Sequence, residues 1–267
     1  MSGRSARISP RPKKWRGSLA RQRSLKTIVG LQGRSDPTIL YARDLIKEGY
    51  IGEVLTANLS TVAQAQLQRG PGRIWQGVRA NGANVLTITG GHAIDALCAV
   101  LGEFAELSAR VSTRIPEWRT PEGKPVPVDS PDSINVVGRM VSGAEVSVNV
   151  ATVPLNPSGN RLEIYGRDGA IVIRANGALS LGPNQMHAGK GKEPMAAMPV
   201  PAKYKFAPES TPAGQPYNVA QAYARAADTL RGGGAFDVDF NLAVQRHKLI
   251  DAIERSSATG RSVRLAS

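Results

Sequence analysis

The sequence predicts an α+β domain with a mostly antiparallel open sheet and helices on one of its faces. Three observations carry this expectation. Residues 133–140, 144–152, 160–166 and 170–174 alternate apolar and polar side chains and are punctuated by Ser142-Gly143 and Asp168-Gly169, turn pairs that bring successive strands back antiparallel. Residues 85–101 carry apolar side chains at Val85, Leu86, Ile88, Ile94, Leu97 and Leu101, the spacing of one buried helical face. Residues 217–230 and 239–256 read as two closing helices, the first ended by Gly232-Gly233-Gly234 and the second by Gly260. Helices segregated on one face of an antiparallel sheet are a stable way to cover that sheet.

The remaining elements follow in chain order. Residues 24–31 read as a short strand. Asp36-Pro37 is a helix start, with Asp as N-cap and Pro at the first helical position, and that helix stops at Gly49. Residues 54–62 alternate and suit a half-buried strand. Residues 64–80, with Gln64, Gln66, Gln68, Arg69, Arg73, Trp75 and Arg79, read as a polar loop. A strand over 105–115 precedes a loop over 118–131 that contains four prolines. After the hairpins, Asn176-Gly177 leads into a short strand at 179–181, and residues 194–216, with six prolines, form an extended strap.

Composition narrows the function classes. A chain of 267 residues with 41% hydrophobic content suits a folded globular domain. No run approaches the ~18 consecutive apolar residues of a membrane span. The single cysteine, Cys98, excludes an internal disulfide framework and fits a reducing, cytoplasmic compartment. His92, His187 and His247 lie far apart without cysteine companions, so no metal site is expected, and His247 reads as a packing or capping residue. The net charge of +13 is concentrated in a tail: residues 1–26 hold nine basic residues and no acid, leaving 25 basic against 21 acidic groups elsewhere. Such a tail could hold phosphates electrostatically or act as a targeting segment, but the rest of the chain does not favour a nucleic-acid partner.

The most informative stretch is 81–97. Gly82 and Gly90-Gly91 leave part of this helix open to close approach. His92 and Asp95 are three apart, and Ile88 lies one turn before His92. A histidine among small residues is a candidate proton carrier, because an imidazole changes state near neutrality.

This block, from Gly82 through His92 to Asp95, resembles the substrate-domain helix of the glucose–fructose oxidoreductase/inositol dehydrogenase/MocA family. Three further stretches are similar to that family. Residues 27–34, Thr-Ile-Val-Gly-Leu-Gln-Gly-Arg, resemble the last strand of its cofactor domain. Residues 162–170 resemble its sheet hairpin, and Asp239-Phe240 with residues 245–253 resemble its last helix. The likeness covers about residues 25–265, and the subgroup it resembles includes the galactose-pathway repressors. It implies a basic tail over 1–24, a remnant of a doubly wound cofactor domain over 25–35, and a substrate and oligomerisation domain over 36–267. It further implies that His92 and Asp95 are catalytic, that Gln32 and Arg34 line a cofactor cleft, and that Arg73, Trp75 and His92 contact a sugar or polyol. NAD or NADP would be the cofactor of a complete member, the sheet would pair with a second copy, and a loop at 64–80 would close over the substrate.

Two departures limit these implications. The G-x-G-x-x-G turn that lets backbone amides approach a pyrophosphate is missing from the chain. The family's E-K-P lysine motif is missing too, and Glu122-Gly123-Lys124-Pro125 has an extra glycine and falls after the His92 helix rather than before it. The tail stands where the family has most of its cofactor domain, as a displaced start, frameshift or deletion would produce. Secondly, Ile88 stands where catalytic members place Asp, and an isoleucine can neither accept a proton nor orient an imidazole. The expectation is therefore a substrate and oligomerisation domain that binds no cofactor tightly and turns over nothing by itself. The alternatives are a non-catalytic sugar- or nucleotide-sensing regulator of the galactose-repressor kind and a stand-alone binding module with a basic tail.

Overall fold

A computed structural model describes residues 26–234 and 236–265. The elements run in the order α1 (Pro37–Lys47), β1 (Val54–Gln64), α2 (Pro71–Ile74), α3 (Gly91–Leu101), β2 (Phe104–Ser112), β3 (Glu117–Arg119), β4 (Pro125–Pro127), β5 (Ser133–Met140), β6 (Glu145–Val153), β7 (Gly159–Gly166), β8 (Gly169–Ala175), β9 (Gln185–Lys190), β10 (Ala196–Ala197), α4 (Gln215–Arg231), α5 (Phe240–Thr259) and β11 (Val263–Arg264). Among the described residues, nine strands form one sheet in the order β10-β9-β8-β7-β1-β6-β5-β2-β11. Every pairing is antiparallel except β1 with β6. This is the mostly antiparallel α+β fold expected from the sequence.

Alternation along the strands decides which face is covered. Ala57 and Leu59 of β1 lie level with Val146 and Val148 of β6 and with Ile164 and Leu162 of β7. All six are buried, and Ile134 and Val136 of β5 with Ile171 and Ile173 of β8 extend the same apolar layer. Residues one step away carry the opposite face, where Asn58, Asn135, Ser147 and Asn149 hydrogen-bond in pairs and Val137 is 58% exposed. A period of two makes this segregation automatic once register is set. α3 and α5 pack on the apolar face, α1 packs on α3, and α4 covers the 3-10 turn Gln32–Ser35 rather than the sheet. The stretch Arg79–Leu101 has a mean hydropathy of 1.4, enough by composition to count as a possible membrane span, and it serves here as a core helix.

Several expectations need correction. Residues 26–31 form no strand; Val29 N donates to Val238 O at 2.9 Å, and the segment runs past α5 without a sheet partner. Residues 24–25 of that expected strand, and the basic tail, lie outside the described residues. β6 and β7 are not neighbours, because β1 is inserted between them. Residues 179–181 are a turn, and the next strand is β9, which the sequence reading missed. Inside the proline-rich loop, β3 and β4 pair as a small ribbon. At Asp168-Gly169 the glycine is needed for space rather than for a positive φ, since a Cβ there would lie 2.3 Å from the Gly189 carbonyl oxygen.

Candidate functional site

The site is organised by the entry to α3. Asn84 and Thr87 cap it reciprocally: Thr87 N donates to Asn84 Oδ1 (3.2 Å) and Asn84 N donates to Thr87 Oγ1 (3.0 Å). The Thr87 hydroxyl donates to Gly82 O at 2.8 Å, fixing the preceding turn. Residues Leu86–Gly90 then wind as a π-helical turn before the α-helix begins at Gly91. Gly90 N donates to Val85 O, five residues back, at 2.7 Å. A Cβ on Gly90 would sit 3.2 Å from that carbonyl oxygen, so glycine leaves room for the wide turn.

The wide turn changes which residues share a face. His92 is half-buried and lines a pocket of about 420 Å³ with Arg79, Asn84, Thr87, Arg246 and His247. Ile88 is 45% exposed and lines a different pocket, of about 260 Å³, with Gln64, Arg69, Arg73 and Trp118. Asn84 borders both. The helical spacing placed Ile88 on the buried face beside His92; the π turn offsets the residues before it from those after it, and the two side chains serve separate pockets.

Burial pulls the His92 imidazole below its ordinary pKa, with the Asp95 charge opposing. A neutral imidazole at pH 7 can accept a proton. Asp95, expected to hold that ring, is itself 2% exposed and accepts from Arg34 Nε at 2.9 Å, with Arg246 Nε at 3.6 Å. Burial pushes the Asp95 carboxyl up while the Arg34 and Arg246 guanidiniums oppose the shift. Arg246 also meets Glu103, so the cluster forms an ion-paired hinge between the 32–35 turn, α3 and α5. Cys98 lies beside it, and burial pushes its thiol up to about 12. It behaves as a packing residue.

Gln32 is half-buried in its 3-10 turn, and neither Gln32 nor Arg34 lines the His92 pocket; Val29 and Leu31 do so from the same segment. Arg34 is engaged by Asp95, Arg79 by Glu254 (3.1 Å) and Arg246 by Glu103, while Arg34 Nη2 and Arg246 Nη1 have no hydrogen-bond partner among the described residues. Arg73 lines the pocket beside Ile88. Trp75 is 48% exposed, and its Nε1 donates to Gly72 O at 2.9 Å, so it borders neither pocket. His247, read from sequence as a packing or capping residue, is exposed and lines the His92 pocket. Trp118 was missed as a site residue; its signal, an aromatic in a proline-rich loop, has no local spacing that points to a pocket 30 to 50 residues earlier in the chain.

The family described as the Gal80p C-terminal domain matches residues 37–175. The dehydrogenase aclE of Aspergillus oryzae is 28% identical over 258 residues, covering 90% of this chain, and the chain spans 64% of that relative's length. The crystal structure of a Gal80p super-repressor mutant from Saccharomyces cerevisiae superposes with a TM-score of 0.80 at 21% identity, over 96% of this chain and 69% of that one. An NAD binding oxidoreductase from Klebsiella pneumoniae gives 0.78 at 17% identity, over 95% and 70%. The apolar sheet, the α3 entry and both pockets fall wholly or largely inside the matched fold, and the chain belongs to the Gal80p C-terminal-domain family, within the glucose–fructose oxidoreductase/inositol dehydrogenase/MocA group.

Proposed function

We propose that this domain is the substrate and oligomerisation half of a nicotinamide-dependent sugar or polyol oxidoreductase, inactive in hydride transfer as these 267 residues stand. The observation that supports it is the His92 pocket. A half-buried imidazole held neutral by burial shares the pocket lining with Asn84, whose Oδ1 is engaged by Thr87 while its Nδ2 remains a donor among the described residues. Such a pair accepts a hydrogen bond from a substrate hydroxyl at the imidazole nitrogen and donates one to a neighbouring oxygen. Asp95 contributes by fixing the helix to Arg34 and Arg246 rather than by touching the ring. The open sheet face, carrying Val137 and Tyr165, is the surface for a second copy.

The experiment follows the His92 imidazole by NMR while myo-inositol or glucose is added. A saturable shift that is absent in His92→Gln supports the reading, and an unmoved imidazole at high ligand concentration overturns it. Hydride transfer to added NAD or NADP by the purified chain would overturn its inactive part.

A second reading, a non-catalytic sugar- or nucleotide-sensing regulator, is favoured by Ile88, an apolar residue at the acid position that opens onto a pocket of its own. Supplying the acid as Ile88→Asp, in a chain provided with a nicotinamide-binding domain, tests it. Gained turnover would identify the missing acid as the lesion.

A further inference from the structure

The pocket beside Ile88 has an unbalanced charge. Arg69 and Arg73 both line it, and neither has a carboxylate partner among the described residues. The acid in its lining, Asp132, is 7% exposed and already accepts from Arg114 N (2.8 Å) and Ile115 N (2.7 Å). Arg69 is half-buried, its guanidinium lies 4.5 Å over the Trp118 ring, and its Nε donates to Gln66 O at 2.9 Å. The two terminal nitrogens of its fork remain. Burial pulls Arg69 below its ordinary pKa, and the Arg73 charge adds to the effect. A half-buried cation with a second, exposed cation close by costs free energy that a bound anion would relieve.

The walls of this pocket are pinned. Arg69 N donates to Arg119 O and Arg119 N to Leu67 O, both at 2.8 Å, tying the arginine loop to β3. Asp129 N and Ser130 N both donate to Gly77 O, and Ser130 Oγ donates to Gln76 O at 2.8 Å. Trp118 is seated against Gly77, where a Cβ would come within 3.2 Å of the indole. The arginines are therefore presented by a braced loop rather than by a loose surface, which lowers the ordering cost of binding. Around them stand uncharged amides, Gln64, Gln76 and Asn84, and the apolar Ile88. Amides suit hydroxyl groups, an arginine fork suits a carboxylate or phosphate, and an isoleucine suits a carbon skeleton.

We propose that this pocket recognises the anionic group of a small polyhydroxy acid, carboxylate or phosphate, on the Arg69–Arg73 pair, with hydroxyls on Gln64, Gln76 and Asn84 and the carbon chain against Ile88. The inference rests on the reading of this domain as a substrate-binding half and adds the substrate's charge to it. It also gives Ile88 a role: a carboxylate at this position would repel the anion that the two arginines hold.

Calorimetry on the purified chain at low salt tests it with four probes: glucose, glucuronate, glucose 6-phosphate and inorganic phosphate. One of the two sugar anions binds at least about tenfold more tightly than glucose, as expected for one added charge-assisted hydrogen bond. The tighter of the two identifies the anionic group. Arg73→Gln, at an exposed position, removes that gain, so that the sugar anions bind no more tightly than glucose. Arg69→Gln does the same, and Arg69→Lys, which keeps the charge but loses the planar fork over Trp118, retains part of it. Equal affinity for glucose and both sugar anions, a gain untouched by both glutamine variants, or inorganic phosphate binding as well as the sugar anions overturns the proposal. Glucose binding without an anionic gain leaves the substrate-half reading standing. Binding of none of the four removes both.

Discussion

His92 and Asp95, three residues apart in sequence, have opposite tasks. His92 is held neutral by burial, so its folded pKa lies below that of the unfolded chain. The unfolded state then binds more protons, and stability rises with pH through the window between the two values. The stabilisation is complete above the unfolded value of about 6.5 and is lost as pH falls through the lower folded value. Thermal denaturation from pH 7.5 to pH 5 should show a steeper fall in Tm for the native chain than for His92→Gln. Asp95 is the buried counter-charge for two guanidiniums, that of Arg246 buried and that of Arg34 partly so. Asp95→Asn preserves its shape but leaves Arg34 without its carboxylate, and breaking a buried pair of this kind costs about 3 kcal/mol. Urea unfolding should show that loss, whereas Glu103→Gln, at a more exposed position, should show less.

Helix ends are the elements whose chemistry is local. Asp36 accepts from Thr38 N at 2.9 Å and Ile39 N at 3.2 Å, and Asp239 accepts from Asn241 N at 2.9 Å and Leu242 N at 3.0 Å. The two caps differ in burial: Asp36 is 2% exposed and its other oxygen takes a hydrogen bond from Asn218 Nδ2 of α4 at 2.9 Å. Asp239→Ala should therefore cost about 1 kcal/mol, the usual value of an N-cap. Asp36→Ala should cost about 2 kcal/mol or more, because it also removes one of the two acceptors of the buried Asn218 amide, leaving Ser180 O as the other. Chemical denaturation of both variants checks the order. The π turn at Leu86–Gly90 belongs to the same scale, with Gly90 N donating to Val85 O, and the apolar periodicity did not signal it.

At the scale of the whole molecule, α3 and α5 cover one side of a nine-stranded sheet, α1 packs on α3, and no described element covers the other side. On that side Val137, 58% exposed, lies among asparagine and serine pairs, with the Arg161–Glu163 ion pair further along the face. A polar but patterned face of this kind suits pairing with a second copy of itself. Light scattering at micromolar concentration should give a dimer or higher oligomer, and Val137→Arg should shift it towards monomer without lowering Tm in the dilute limit. A native monomer at that concentration would remove the oligomerisation half of the proposed function.

The sequence by itself determined the α+β class, the alternation of side chains along β1 and β5 to β8, the capped start of α1 at Asp36, and the glycine that ends α5. Each depends on contacts between near neighbours: a period of two, an aspartate two or three residues before an amide, a glycine after the last helical turn. Tertiary structure alone decided that β1 lies between β6 and β7, since strand order is set by burial of distant apolar faces. It also decided that Asp95 belongs to Arg34, 61 residues earlier, rather than to His92. The same holds for Ile88 and for the Arg69–Trp118 pocket. The π turn at Leu86–Gly90 set one residue out of the expected helical face, and a proline-rich loop folded back to supply the opposing wall.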